Sequence, residues 1–201
     1  MSLKPFERLD AIAVPITQPN LDTDQILPAR YLQKPRANNF GEYLFRDLRF
    51  GKDGSEQAGF VLNQTPYRDG RIILAARNFG CGSSREHAVW ALHDYGFRAV
   101  IAPSFGDIFY ANALKNGLLP IPLPEPSVLA MLDTVQAAPG SRMVVDLEAQ
   151  TVLAPDGASH TFDINAFSKH CLLKGLDELG YTLGLLDQIA DFERRFEQAG
   201  S

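Results

Sequence analysis

The chain has 201 residues, 45% hydrophobic and 21% charged, with a formal net charge of −5, a composition ordinary for a soluble globular protein able to bury roughly 70% of its unfolded surface. The acidic balance excludes the basic stripe that a nucleic-acid binder needs to displace phosphate counterions. No apolar run approaches the ~20 residues of a bilayer span, and Met1 to Asp10 lacks the apolar segment of a signal peptide, so neither membrane nor nucleic acid is an expected partner and the expected location is cytoplasmic.

Leu9 to Ile16 reads as a first strand, followed by a polar, proline-punctuated loop from Pro19 to Tyr31 with room for a helical turn. Gly41 to Phe50 predicts a short amphipathic helix, and Gly51 to Gly59 an exposed loop. Arg71 to Ala76 is a short apolar run and predicts a buried strand. Ser84 to Tyr95 carries Ala88, Ala91, Leu92 and Tyr95 at helical spacing, with Gly96 as its stop. Arg98 to Ala102 is the next strand. This strand–helix–strand unit predicts parallel pairing. Phe105 to Asn116 predicts a helix with Ser104 as its cap and Gly117 in the left-handed position after its end. Leu118 to Leu123 contains Pro120 and Pro122 and so belongs near a sheet edge. A helix from Ser127 to Gln136, a hairpin from Met143 to Leu147 and Thr151 to Leu153, and a strand from His160 to Ile164 follow. Asn165 to Gly180 and Thr182 to Gln198 predict helices. The expected fold class is α/β: residues 1–201 form one domain with a parallel-containing sheet and flanking helices, and 165–201 form a helical appendage.

The segment with chemical potential is Asn78-Phe79-Gly80-Cys81-Gly82-Ser83-Ser84-Arg85-Glu86-His87, where a buried strand hands over to a helix. Its glycines permit positive φ or close approach of the backbone. The helix start offers unpaired N–H groups to an anion, and Arg85 adds a fork matched to a carboxylate or phosphate. Ser83-Ser84-Arg85-Glu86 equally fits a capping box, with Ser83 as cap and Glu86 reaching back. The segment is neither the nucleotide-binding G-x-x-x-x-G-K-[ST] nor G-x-G-x-x-G. Cys81 at a helix start has the setting that lowers a thiol pKa, yet no Cys/His arrangement accompanies it. Two cysteines, Cys81 and Cys171, are too few for the usual four ligands of an iron–sulfur cluster, and His87 and His93 are off the zinc-helix spacing, so this chain alone is expected to hold no metal.

Asn78 to Ala88, together with Ser104-Phe105-Gly106-Asp107-Ile108-Phe109, Asn112 and Gly117-Leu118-Leu119-Pro120, resembles the swivelling domain of the aconitase superfamily. Asn20 to Leu32 (NLDTDQILPARYL) resembles the N-terminal motif of the bacterial isopropylmalate dehydratase small-subunit family, and Phe167 to Asp177 (FSKHCLLKGLD) its C-terminal motif. Pro35-Arg36-Ala37-Asn38-Asn39 departs from the Thr-Arg-Thr-Gly-like stretch of that family.

The resemblance implies a partner large subunit carrying a [4Fe–4S] cluster with one open iron site. It also implies a small hydroxy-dicarboxylate substrate and a dehydration–rehydration that moves a hydroxyl between adjacent carbons in leucine biosynthesis. By the same match Ser83 is the base, Arg85 binds a substrate carboxylate and Ser84 helps hold it. Asp22, Thr23 and Asp24 either shape the site or form an Asx-type turn. Arg36 either reaches a second carboxylate or is a solvated surface charge. Leu32, Gln33 and Lys34 are the candidate specificity segment, and Asn112 either orients a loop or is an ordinary helix-face amide. His170 and Cys171 are assigned to packing or a subunit seam. A homoaconitase-type or dimethylmalate-type dehydratase subunit is the alternative within the superfamily, and a non-enzymatic anion-binding module is the alternative outside it.

Overall fold

The computed structural model describes residues 3–36, 40–83 and 85–199, the last three of these by backbone alone. Seven strands form one sheet: β1 (Arg8–Ile16), β2 (Ile72–Ala75), β3 (Ala99–Ala102), β4 (Leu119–Pro122), β5 (Arg142–Asp146), β6 (Thr151–Leu153) and β7 (Ser159–Thr161). Their order is β4-β3-β2-β1-β5-β6-β7, with the first four parallel and the last three an antiparallel meander. Among the described residues the helices are α1 (Thr23–Ile26), α2 (Arg46–Arg49), α3 (Glu86–Tyr95), α4 (Asp107–Lys115), α5 (Glu125–Ala137), α6 (Ala166–Lys174), α7 (Glu178–Leu183) and α8 (Leu186–Ala199). None is long and apolar enough to cross a membrane. The architecture is mixed α/β, as the alternating pattern of the central third predicts.

Burial explains the strand sequences. Every residue of β2 (IILA) and β3 (AVIA) is buried, which is why these strands are continuous apolar runs rather than alternating ones. α5 packs on β1, β2 and β3. Pro120 and Pro122 cost no ladder bond on the far side because β4 is a sheet edge. Pro15 lies within β1 but past the reach of β5, which pairs only from Arg8 to Ile12, so one of its sides is already free of strand partners.

Three local expectations are corrected. Gly41 to Phe50 is a 3-10 turn (Phe40–Tyr43) followed by the single-turn α2, broken at Phe45 with φ 49°. Phe40, Leu44 and Phe45 are all buried, and Phe45 N–H donates to the Ile26 carbonyl at 2.8 Å; burial on several sides overrides the amphipathic period. The cap of α4 is Gly106, without a side-chain bond. The Ser104 hydroxyl instead accepts from the Asn78 N–H at 2.9 Å. The helix predicted over 165–180 stops at Lys174, because Gly175 takes φ 65° and lies against the N-terminal segment; a Cβ there would come within 2.3 Å of the Leu3 carbonyl.

Candidate active site

The loops that leave the C-terminal ends of β1, β2 and β3 are laced together, and the candidate residues sit on them; the outer ends of parallel strands are where open α/β sheets bind ligands. The loop after β2 runs from Ala76 to Arg85. Its first half is fixed: the Asn20 N–H donates to the Arg77 carbonyl (3.0 Å), the Gly80 N–H to the Leu21 carbonyl (2.8 Å), and the Phe79 N–H to the Ser104 carbonyl (3.0 Å). Asn78 and Asn20, both left-handed, join side chains at 2.9 Å. Asn tolerates that conformation better than most residues, which is the signal that could have marked Asn20 as part of the site. Phe79 is buried against Phe105 and Phe109.

Gly80 is required twice over. Its φ is 71°, and a Cβ would stand 2.3 Å from the Phe109 ring. Gly80→Ala is expected to cost about 2–5 kcal/mol, combining left-handed strain with overpacking. Gly157→Ala, at φ 88° with nothing within 4 Å, should cost only the backbone part, about 1–2 kcal/mol. Denaturant melts of the two variants compare them directly; equal destabilisation would contradict the packing argument.

The second half of the loop presents Ser83. The Thr23 N–H donates to the Cys81 carbonyl (2.9 Å), and the buried Thr23 hydroxyl donates to the Ser83 carbonyl (3.1 Å), which also accepts from the Arg85 N–H (2.9 Å). Two donors on one carbonyl hold the Ser83 backbone while its side chain remains exposed. The capping-box expectation fails here. The cap of α3 is Arg85, extended and without a side-chain bond, so Ser83 lies outside the helix. Glu86 turns away to accept from Asn116 Nδ2 at 2.8 Å, so among the described residues no side chain caps the helix-start amides. The Ser83 hydroxyl makes no hydrogen bond among the described residues. Ser84 lies outside the described residues.

Asp22, Thr23 and Asp24 form a local turn and also contact the loop that carries Ser83. Asp22 caps α1 in a capping box with Gln25 (2.7 and 3.1 Å). Thr23 grips the loop of Ser83, and Asp24 takes the Nη1 side of Arg85. The sequence contained that α1 capping box, whereas the pairing of Asp24 with Arg85 spans 61 residues and had no local signature. Cys81 and Cys171 are free thiols, and burial pushes Cys171 above the usual thiol pKa. Among the described residues no three His, Cys, Asp or Glu side chains gather as a metal ion would require.

Arg36 is neither solvated nor beside Arg85. Its fork is bidentate on Asp94 (3.1 and 2.7 Å), and its guanidinium stands 5.3 Å from the Trp90 ring centre. Asp94 is nine residues beyond Arg85, about 13 Å of helical rise. The neighbouring His93 shares this carboxylate, its Nδ1 standing 3.4 Å from Asp94 Oδ1, while burial holds the imidazole below its usual pKa. Leu32 packs against the core, while Gln33 and Lys34 are exposed; Ala37 to Asn39 lie outside the described residues. His170 is exposed, edge-on to Tyr181.

Interlocked loops at the C-terminal ends of the parallel strands thus bring together Ser83, the Arg85 fork and the start of α3, and residues 3–126 match the family model described as the aconitase C-terminal domain, so this is an aconitase-type domain. Residues 130–166 match a second model, LeuD_N. The chain is 48% identical to the 3-isopropylmalate dehydratase small subunit of Cereibacter sphaeroides, over 96% of each chain. It is also 48% identical to that of Gluconacetobacter diazotrophicus, over 98% of this chain and 95% of the relative. A crystal structure of 3-isopropylmalate dehydratase from Methanocaldococcus jannaschii superposes with a TM-score of 0.67 at 26% identity, covering 92% of this chain and 99% of the other. The chain belongs to the family of 3-isopropylmalate dehydratase small subunits.

Proposed function

We propose that this chain is the small subunit of a two-chain dehydratase that interconverts 2-isopropylmalate and 3-isopropylmalate by loss and re-addition of water, a hydro-lyase step in leucine biosynthesis. The observation that carries the reading is the convergence of Ser83 and Arg85 with Thr23 and Asp24 on one loop cluster of a chain in this family. In the reaction a carbon-bound proton leaves to a base while a hydroxyl leaves the adjacent carbon. Ser83 Oγ, exposed on a clamped backbone, takes the proton. Arg85 binds a substrate carboxylate through the donors that Asp24 leaves free. The uncapped amides at the start of α3 add partial positive charge on the same side. Departure of the hydroxyl calls for a Lewis acid, the chemistry of a [4Fe–4S] cluster with an open iron position, and two cysteines are too few for the usual four ligands of such a cluster. That group is assigned to the partner large subunit, which must close over the exposed face of Ser83.

The test is anaerobic co-expression with a candidate large subunit, followed by isomerisation assays on isopropylmalate and on hydroxy-diacids with a polar or acidic tail. The pair is expected to turn over isopropylmalate preferentially, and the purified small chain to turn over none of them. Turnover by a verified single-chain preparation would overturn the two-chain reading; preference for an acidic tail would move the chain to a homoaconitase-type role.

A further inference from the structure

One buried polar side chain beside the site has no part in the reaction described above. Asn116 closes the C-terminal end of α4, is 8% exposed, and uses both ends of its amide. Oδ1 accepts from Trp90 Nε1 at 2.9 Å, and Nδ2 donates to the Asn112 carbonyl at 2.9 Å and to Glu86 Oε1 at 2.8 Å. Chemistry fixes this orientation. An indole N–H only donates, so the amide oxygen must face Trp90 and the amide nitrogen must face Glu86. Trp90 is itself packed against His87 (ring centres 4.4 Å apart) and Phe40 (6.1 Å).

Glu86 opens α3 and also ends the Ser83-Ser84-Arg85-Glu86 capping pattern, which offers the helix a second way to begin. With Ser83 as its cap, the Ser83 hydroxyl would accept from the Glu86 N–H, and the Glu86 carboxylate would accept from the Ser83 N–H. The consequence for the site is direct. The hydroxyl assigned as base would be tied up as a cap. A carboxylate would lie at the helix start beside the Arg85 fork, where the proposed function puts the carboxylate of the substrate. The chain thus carries an internal competitor for its own substrate. In the structure the box is open: Arg85 is extended at φ −113°, ψ 98°, Thr23 holds the Ser83 carbonyl, and Asn116 holds the Glu86 carboxylate.

We infer that Asn116 is a positioning residue for the dehydration: it latches Glu86 out of the capping box and so keeps Ser83 and Arg85 free for substrate. This rests on the small-subunit reading above. The latch is a hydrogen bond to a charged group, and loss of one shifts the ratio of two states about 10- to 150-fold. A closed box lowers the fraction of chains competent to bind and so raises KM. Saturating substrate recovers the open state, so kcat is kept.

The experiment is a double-mutant cycle in the assembled enzyme with Asn116→Asp and Glu86→Ala. Asn116→Asp is nearly isosteric and still accepts from Trp90, but it turns an acceptor toward Glu86. KM is expected to rise about tenfold, with kcat within about twofold of wild type. Glu86→Ala removes the competitor; alone it should leave both constants within about twofold of wild type, and added to Asn116→Asp it should restore KM to that range. A merely structural Asn116 gives a loss that persists in the double variant, and that result overturns the proposal. So does a KM within about twofold of wild type in Asn116→Asp. Asn116→Ser, neutral and too short to reach Glu86, carries the same cycle if the charged variant does not fold.

Amide hydrogen exchange in the isolated chain reads the latch without turnover. The Glu86 N–H should gain about tenfold protection in Asn116→Asp and lose it when Ser83→Ala is added. No gain overturns the latch. A gain in the isolated chain, with no turnover of isopropylmalate by the wild-type pair, leaves the latch standing and removes the substrate assignment.

Discussion

Ser83→Ala in the assembled enzyme is expected to reduce kcat by about 10³–10⁴-fold, the range that a positioned general base contributes, while leaving stability nearly unchanged. The structure separates these two effects. Had Ser83 capped α3, its removal would have cost about 1 kcal/mol and confused folding with catalysis. It lies outside the helix, is exposed, and makes no side-chain hydrogen bond among the described residues, so the substitution belongs with ordinary surface changes, within about 0.5 kcal/mol. Thr23 holds the Ser83 carbonyl, not its hydroxyl, so the loop keeps its course without the oxygen. Single-turnover dehydration, read beside substrate affinity and thermal melting, decides the case. Near-normal kcat in a folded, assembled Ser83→Ala pair would require another base.

A serine hydroxyl is a weak base, and the magnitudes show what else must act. A favourable helix terminus is worth at most ~2 kcal/mol. At about 1.4 kcal/mol per pKa unit, that lowers the hydroxyl pKa by roughly one and a half units, far from enough. The same partial charges and the Arg85 guanidinium act more strongly once water is excluded. In the isolated chain Ser83 is exposed, so that exclusion depends on a covering partner. For Ser83 to act as the base proposed above, its hydroxyl must therefore be covered, and a second chain would supply that cover.

The parallel centre was legible because its signals are local. β2 and β3 are apolar runs, α3 and α4 carry helical periodicity, and Gly96 and Gly117 take the left-handed positions that end them. What failed had long-range causes. The break at Phe45 follows from burial beneath α1, Ser104 from the approach of Asn78, and the end of α6 from packing of Gly175 on Leu3. At the site, the loop was visible from its glycines and from Arg85, but the starting point of α3 was not. Glu86 had two options, reaching back to the chain before the helix or across to Asn116, and only the position of Asn116, itself held by Trp90 Nε1 at 2.9 Å, decides between them. Arg36 was legible as a cation but not as the partner of Asp94, 58 residues away.

Arg85→Lys is expected to lower kcat/KM about 10- to 150-fold, with a rise in KM as part of the loss. The planar fork offers two parallel donors to a carboxylate, and an ammonium keeps the charge but gives up that geometry. A hydrogen bond to a charged group is worth about 1.5–3 kcal/mol, which converts to that range. Folding should hardly change. Arg85 is largely buried but its Asp24 partner is half exposed, and the lysine ammonium keeps the charge that pairs with it. The contrast with Ser83→Ala is the informative part. Removal of a base that acts on a bound substrate depresses kcat with binding intact, whereas loss of a carboxylate clamp weakens ground state and transition state together. Asp24→Asn separates the clamp from its support: the amide oxygen still accepts from Arg85, so the pair should retain most of its kcat/KM, and Arg85→Lys should remain the larger loss. If Arg85→Lys leaves both KM and kcat at wild-type values in the assembled enzyme, Arg85 is a partner for Asp24 alone, and the substrate carboxylate must be held by the large subunit.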